Sequence, residues 1–378
     1  MRRYPAVSYL EARARRRMPF FAWEYLASGT GDDAAVRRNR ERLDTVLFTP
    51  RFMQGPFEPA LATELFGVRY AAPFGIAPVG LTGLMWPDAE CILAKAAAKY
   101  RIPYGLSTVA TQAPETVGPL ASGMGWFQLY PPRNSDTRKD LLKRARDSGF
   151  TALLVTVDVP ANSRRERQAR AGVSVPPRIT PLTLYRCAVR PAWSLAALRG
   201  GGLPRFRGLE QYAGATDLAA ISEFIGTQFN GTLDWEYVSQ VRDEWDGPVL
   251  LKGVMDVDEA LHALRIGIDG LVVSNHGGRQ FDGVPAAIDV LPGIAEAVAG
   301  RCKIVFDSGV RSGLDMLRAI ALGADFVLLG RAFMFGVGAL GERGGDHVID
   351  LLLADLATNM SQLGCATLAQ LKDRLYRP

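Results

Sequence analysis

Histidine is scarce in this chain, its cysteines are unpaired, and no apolar run is long enough to cross a bilayer. The three histidines are His262, His276 and His347, so few groups can serve as a general base near neutral pH. Cys91, Cys187, Cys302 and Cys365 lie far apart and form no C-x-x-C pair. Neither a metal site nor a disulfide framework is expected, which fits a reducing compartment. An arginine-rich N-terminus without a following apolar core predicts no signal peptide. The most apolar stretch near the C-terminus is broken by Asp325 and Arg331, which argues against a transmembrane helix. A soluble or peripheral, cytoplasmic protein is therefore expected. No nucleic-acid-binding motif accompanies its basic charge, so nucleic acid is not an expected partner.

The charge itself is uneven. Between Arg164 and Arg207 there are ten arginines, no lysine and one acid, Glu166, a net +9 that leaves −4 for the remainder of a chain totalling +5. The same stretch holds Leu182, Leu184, Tyr185, Trp193, Leu195 and Leu198 among scattered Pro and Gly. Arginines for phosphates and Trp/Leu for the interface would suit an anionic membrane surface. A solvated, partly disordered loop is the competing reading.

Elsewhere short apolar strands alternate with helical patterns. Strands are predicted at 73–79, 102–107, 126–130, 152–158, 248–252, 270–274, 303–307 and 325–330. Helices are predicted at 88–100, 138–148, 257–266, 288–299 and 313–322. Eight strands in βα alternation favour a closed (β/α)8 TIM barrel over an open sheet. The chain is expected to be a single domain over 1–378, with an N-terminal helical extension over 1–70. A long basic excursion, 164–230, separates the fourth and fifth strands.

A barrel places its chemistry at the C-terminal ends of its strands. Those ends carry Pro78-Val79-Gly80, Ser107-Thr108, Gln128-Leu129-Tyr130, Thr156-Val157-Asp158, Lys252, Ser274-Asn275-His276, Asp307-Ser308-Gly309 and Gly330-Arg331. Nearly every one presents a polar or small residue. The sixth is the most informative. Gly270-Leu271-Val272-Val273 reads as a buried strand, and Ser274-Asn275-His276-Gly277-Gly278-Arg279-Gln280 follows directly. One imidazole and one guanidinium then arrive together where glycines leave room for a ligand. His262 falls in a helical pattern and His347 in a polar turn before a helix, so His276 is the one placed like a catalyst.

These segments make the chain resemble the FMN-dependent α-hydroxy acid oxidase and dehydrogenase family, which includes glycolate oxidase, lactate oxidase and mandelate dehydrogenase. Residues 274–280 match its S-N-H-G-[GA]-R-Q signature. Tyr25-Leu26-Ala27-Ser28-Gly29, Phe127-Gln128-Leu129-Tyr130, Thr156-Val157-Asp158 and Arg164-Arg165-Glu166 fall where the family has equivalents. Asp307-Ser308-Gly309-Val310-Arg311 and Leu329-Gly330-Arg331 match its phosphate end, a part shared with other FMN barrels. Gly80-Leu81-Thr82-Gly83-Leu84-Met85-Trp86-Pro87, the Asp-Ser-Gly at 307 and Pro191-Ala192-Trp193-Ser194-Leu195 look closest to the mandelate dehydrogenase branch. Val79 stands where many members have threonine, Val109 where some oxidases have tryptophan, and Gly80 where oxidases commonly have alanine.

The resemblance implies oxidation of an (S)-2-hydroxy acid to the 2-oxo acid. His276 would be the base, with Asp158 holding its imidazole. Arg165 and Arg279 would grip the carboxylate, a task that suits a planar guanidinium, and Tyr25 and Tyr130 would offer hydroxyls. Lys252 would stabilise charge on the flavin. Pro78, Val79 and Gly80 would lie against its ring, with Ser107, Gln128, Thr156 and Ser274 as hydrogen-bonding candidates. Asp307, Ser308, Gly309, Arg311, Gly330 and Arg331 would hold the ribityl phosphate. Blander roles compete: Arg165 as surface charge, Asp158 as a cap, Lys252 as half of an internal ion pair, Tyr25 as packing. A quinone-type acceptor, an anionic membrane surface on the inner face of the membrane, and a homotetramer are implied partners. The alternatives are an oxygen-using oxidase, a non-redox FMN barrel isomerase and a non-catalytic, membrane-associated relative.

Overall fold

A computed structural model of the chain describes residues 3–173, 179–200, 202, 204–216, 218–229 and 233–376. Parts of the expected excursion, at 174–178, 201, 203, 217 and 230, lie outside the described residues.

The extension opens with α1 (Val7–Arg17), α2 (Phe20–Ala27) and α3 (Ala34–Asp44). On α1 an apolar stripe of Val7, Leu10 and Ala14 turns inward at three- and four-residue spacing. A hairpin of β1 (Thr63–Leu65) and β2 (Val68–Tyr70) follows, where the sequence predicts helix. Its two-residue turn, Phe66-Gly67, is left-handed at both positions, with φ of 52° and 74°, the twist that tight hairpins prefer. Leu65 and Tyr70 bury themselves with Trp126, Leu250, Phe326 and Leu328. The hairpin thus stoppers the barrel, and Trp126 donates its indole N–H to the Tyr70 hydroxyl at 3.2 Å.

The barrel runs β3 (Phe74–Ile76), α4 (Thr82–Met85), α5 (Ala89–Tyr100), β4 (Tyr104–Ser107), α6 (Pro114–Ala121), β5 (Gly125–Leu129), α7 (Ser135–Asp147) and β6 (Ala152–Thr156). The excursion then contributes α8 (Glu166–Arg170), α9 (Pro181–Ala188), α10 (Pro191–Arg199), α11 (Glu210–Ala213) and α12 (Leu218–Gln228). The second half continues through α13 (Trp235–Glu244), β7 (Val249–Val254), α14 (Val257–Arg265), β8 (Gly270–Val273), α15 (Ala287–Val298), β9 (Lys303–Phe306), α16 (Gly313–Ala321), β10 (Phe326–Leu329), α17 (Arg331–Leu340) and α18 (Gly344–Leu363). Strands β3 to β10 pair in parallel and in sequence, and β10 closes on β3. This is a (β/α)8 barrel. Its strands are buried on both faces, as parallel strands covered by helices must be.

All eight expected strands are present. Most end a residue or more early, because the chain leaves the ladder to build the polar rim. His347 lies within α18 rather than in a preceding turn, and its Nε2 sits 3.0 Å from the carbonyl of Tyr4. His262, on α14, stacks on Trp235 with centroids 4.0 Å apart. In the excursion, Leu182, Leu184, Tyr185, Leu195 and Leu198 are exposed. Trp193 is not. It is buried, and its indole N–H donates to the carbonyls of Leu84 and Met85, so it anchors the excursion to the barrel.

Candidate active site

The loop after β8 departs from ordinary backbone geometry. His276, Gly277 and Gly278 are all left-handed, with φ of 56°, 64° and 76°. For histidine that conformation costs ~1–2 kcal/mol, so neighbours must enforce it. The Ser308 hydroxyl accepts from the backbone N–H of Asn275 (3.2 Å) and Gly277 (3.1 Å) and donates to Asp307 (2.8 Å). Ser274 Oγ accepts from the His276 N–H at 3.0 Å. Behind the loop, the Asn275 and Asn39 amides exchange two hydrogen bonds of 2.8 and 2.7 Å. Gly278 lets α3 approach this closely: a Cβ there would stand 2.7 Å from the Val36 nitrogen.

His276 is held at both ring nitrogens. Nδ1 lies 3.0 and 3.1 Å from the two carboxylate oxygens of Asp158, and Nε2 lies 3.2 Å from the Tyr130 hydroxyl. A carboxylate only accepts, so Nδ1 carries the proton and Nε2 is left with its lone pair. Burial pushes the His276 pKa down; Asp158 opposes this, Lys252 adds to it, and the net is a value below the ordinary one. The imidazole is therefore neutral at pH 7. Asp158 would be raised by burial, but the facing His276 and Lys252 outweigh this and hold it below the usual carboxylate range. Burial lifts the Tyr130 phenol to about 12, so it keeps its proton.

His276, Tyr130 and Lys252 look into a cavity of about 220 Å3 at the C-terminal rim. Tyr25, Tyr130, Arg165, Lys252, His276 and Arg279 all line it. Arg279 is fixed by donating to the carbonyls of Tyr25 (2.8 Å) and Ser28 (3.0 Å), with its guanidinium over the Tyr25 ring. Burial and the charge of Arg165 lower its pKa to about 10, which still leaves it cationic. Two guanidiniums that repel across a cavity, with no acid paired to either among the described residues, make a site for an anion. Arg165 sits at the head of α8 with φ 46°, its Nε donating to Ser163 at 2.9 Å. The Tyr25 hydroxyl reaches the Gly80 carbonyl at 3.3 Å. Val79, Met85, Val109, Ile225 and Phe229 supply an apolar wall.

A second set of cations lies deeper. Arg311 and Arg331 line the cavity, and burial lowers both, Arg311 to about 10. Arg331 opens α17 with Gly330 before it, so a helix N-terminus faces the same space. Arg331 also donates to the carbonyls of Leu26, Gly277 and Ser28, tying the extension to the loop after β8. Among the described residues neither Arg311 nor Arg331 pairs with an acid. Buried guanidiniums without counter-charge at a helix N-terminus fit a phosphate, the end expected of FMN.

Pro78, Val79, Gly80, Asp307, Ser308 and Gly309 line the cavity as well. Ser107, Gln128, Thr156 and Ser274 do not; they lie buried behind it. There Gln128 donates to Thr156 at 2.8 Å, and Ser107 and Ser274 accept from backbone amides. Lys252 reaches Ser274 Oγ at 3.3 Å and Asp307 at 3.4 Å. Burial alone would lower its pKa, but Asp307 and Asp158 reverse the sign and keep it charged. It is thus half of an internal ion pair and also part of the cavity wall. The sequence reading passed over Asn39, whose signal was an amide on the buried stripe of α3 between Ala35 and Leu43. It also passed over Ile225 and Phe229, the excursion's share of the wall.

Residues 14–378 match the family model for FMN-dependent dehydrogenases. An L-lactate dehydrogenase of Vibrio parahaemolyticus is 38 % identical over 377 residues, covering 97 % of both chains. One from Pseudomonas aeruginosa is 37 % identical, covering 97 % of this chain and 96 % of its own. The monotopic membrane protein (S)-mandelate dehydrogenase superposes with a TM-score of 0.95 at 31 % identity, over 99 % of this chain and 100 % of its own. A mandelate oxidase gives 0.84 at 33 % identity, over 99 % and 98 %.

Proposed function

Because the chain belongs to the FMN-dependent dehydrogenase family, we propose that it oxidises an (S)-2-hydroxy acid with an apolar side chain and passes the electrons to a quinone-type acceptor. FMN-dependent 2-hydroxy acid dehydrogenase or oxidase activity follows from that membership; the substrate, residue roles and acceptor are the further reading. One observation carries it: a neutral, carboxylate-held histidine, its Nε2 beside the Tyr130 hydroxyl, lines a cavity bordered by two arginines that have no acid partner among the described residues.

In this reading the substrate carboxylate lies between Arg165 and Arg279, with the Tyr25 and Tyr130 hydroxyls beside it. His276 takes one proton at Nε2, from C2 or from the hydroxyl, and Asp158 stabilises the imidazolium that results. When bound, FMN accepts the electron pair, and the protein's part is orientation and charge. Arg311, Arg331 and the start of α17 would hold its phosphate, and Lys252 would stand beside the ring. The apolar wall supports an alkyl or aryl side chain on the substrate.

Dehydrogenase over oxidase is supported by Gly80. An alanine Cβ there would stand 2.8 Å from Val109 Cγ2, so Val109 already occupies the place where alanine would put its methyl. Docking on an anionic membrane is supported by the exposed leucines among the excursion's arginines and by the monotopic neighbour. No helix among the described residues is long and apolar enough to cross a membrane. A homotetramer belongs to the same reading.

The test is an anaerobic visible spectrum of the purified holoprotein during addition of (S)-lactate, (S)-mandelate and glycolate. Bleaching within seconds by one acid is expected and ranks the substrates. Slow return of colour in air, with fast return on adding a soluble quinone, is expected of the dehydrogenase; fast return in air alone would assign an oxidase. Yellow protein that no acid bleaches would overturn the substrate class and favour a non-redox barrel.

A further inference from the structure

Asp158 orients the His276 ring. Its carboxylate lies 3.0 and 3.1 Å from Nδ1 of His276, and its other hydrogen bond is to its own backbone. It does not line the substrate cavity; it lines a second one of about 320 Å3, with Leu233, Trp235, Val254 and Glu259. Pro160, Asp234 and Glu259 around that cavity are exposed. A carboxylate with open space behind it could swing away from the ring unless something stops it.

The stop is backbone. Gly253 adopts φ 111°, where the pairing of β7 with β8 shifts register between Lys252 and Val254. This is a bulge, a device that re-aims side chains near sites. A Cβ on Gly253 would stand 2.5 Å from both Cβ and Cγ of Asp158 and 2.8 Å from Oδ2. The acid therefore rests directly on bare main chain. An added methyl on Gly253 does not fit without displacing the acid.

We propose that Gly253 is a positioning residue for the reaction, its bare left-handed backbone forming the seat that keeps the Asp158 carboxylate on Nδ1 of His276. The idea rests on the reading of His276 as the base. Displacing a reacting group by about 1 Å can cost ~100-fold in rate, and losing the carboxylate would let the ring adopt its other tautomer.

The test combines rates with a tautomer readout. Gly253→Ala is expected to slow anaerobic flavin bleaching by ~100-fold while KM changes little. Combined with Asp158→Asn, it should add almost nothing to the loss of Asp158→Asn alone, because both remove one interaction. Asp158→Glu, which keeps the charge but pushes it into the same seat, should lose as much as Gly253→Ala. With three histidines in the chain, 15N spectra of the imidazoles in the holoprotein should show His276 shifting from Nδ1–H towards Nε2–H in Gly253→Ala. Full activity of either Gly253→Ala or Asp158→Glu would overturn the proposal, as would losses that multiply or an unchanged tautomer. Should Gly253→Ala not accumulate folded protein, Asp158→Glu decides alone. The tautomer readout needs no substrate, so a protein that no 2-hydroxy acid bleaches would sink the base reading and still leave the seat measurable.

Discussion

The barrel side and the excursion side of the cavity are built differently. On the barrel side each polar group is gripped by another: His276 by Asp158 and Tyr130, Arg279 by two carbonyls, Lys252 by Ser274 and Asp307. On the excursion side the chain is tied to the rest of the molecule by separate contacts spread along its length. Arg167 pairs with Glu24, Gln168 bonds Ser28, and Trp193 is inserted beneath α4, while Leu184 and Leu198 stay 61 % and 75 % exposed. Proton transfer needs geometry held within fractions of an ångström, whereas a surface that meets lipid needs only exposed apolar area and positive charge. The difference in construction matches the two tasks proposed for them.

The largest effects should come from the barrel side. His276→Gln is expected to slow anaerobic flavin bleaching by ~10³–10⁴-fold, the usual reach of a general base, with flavin still bound. Asp158→Asn should cost ~10²–10³-fold on the same grounds and should also move the pH profile. Burial, reinforced by Lys252, holds the His276 pKa below its ordinary value. In the native protein kcat/KM should therefore be flat through neutral pH and fall tenfold per unit only below that pKa, where the base becomes protonated. Asp158 raises the His276 pKa. Removing its charge should shift the acid limb to lower pH while the plateau drops. A limb that moves to higher pH would mean that Asp158 is not the partner of the titrating base.

How much of this was legible in the chain follows the same division. The barrel could be read because each strand is a short apolar run ending in a polar or small residue, and the loop after β8 because Ser274–Gln280 is a contiguous motif. The β1–β2 hairpin could not, since its strands are three residues each and too short to show a period. Asn39 escaped because its task depends on a partner 236 residues away. Gly253 escaped because nothing local distinguishes a glycine that seats an acid from one that ends a strand. Trp193 was misread: composition marks a tryptophan among arginines as interfacial, but only tertiary packing decides which way it points.

The arginine pair sets the two sides against each other directly, one guanidinium from each. Arg279→Lys should raise KM by ~10–150-fold, corresponding to one charged hydrogen bond of ~1.5–3 kcal/mol, because lysine cannot both hold the carbonyls and grip a carboxylate in a planar fork. Arg165→Lys should raise it by only ~10-fold, since among the described residues its side chain makes a single bond, to Ser163, and can be replaced by a mobile charge. Steady-state kinetics and the Kd of oxalate check both. Equal losses would mean that the excursion holds its arginine as rigidly as the barrel does.

The smallest chemical effect is expected where exposure is greatest. Leu184→Ser with Leu198→Ser should leave turnover with a soluble dye acceptor unchanged and stability within ~0.5 kcal/mol, as for surface changes generally. Partitioning onto anionic vesicles should nevertheless fall by ~10-fold or more, because a buried leucine contributes ~1.5–3 kcal/mol and even partial immersion is lost. Raising the salt concentration should weaken binding further, since arginines near an anionic surface each supply ~1 kcal/mol that ions screen. Vesicle sedimentation in parallel with dye turnover separates the two quantities. If the leucine changes slow soluble turnover instead, the excursion shapes the cavity through Ile225 and Phe229 more than it meets lipid, and the two sides of the site would be one mechanical unit.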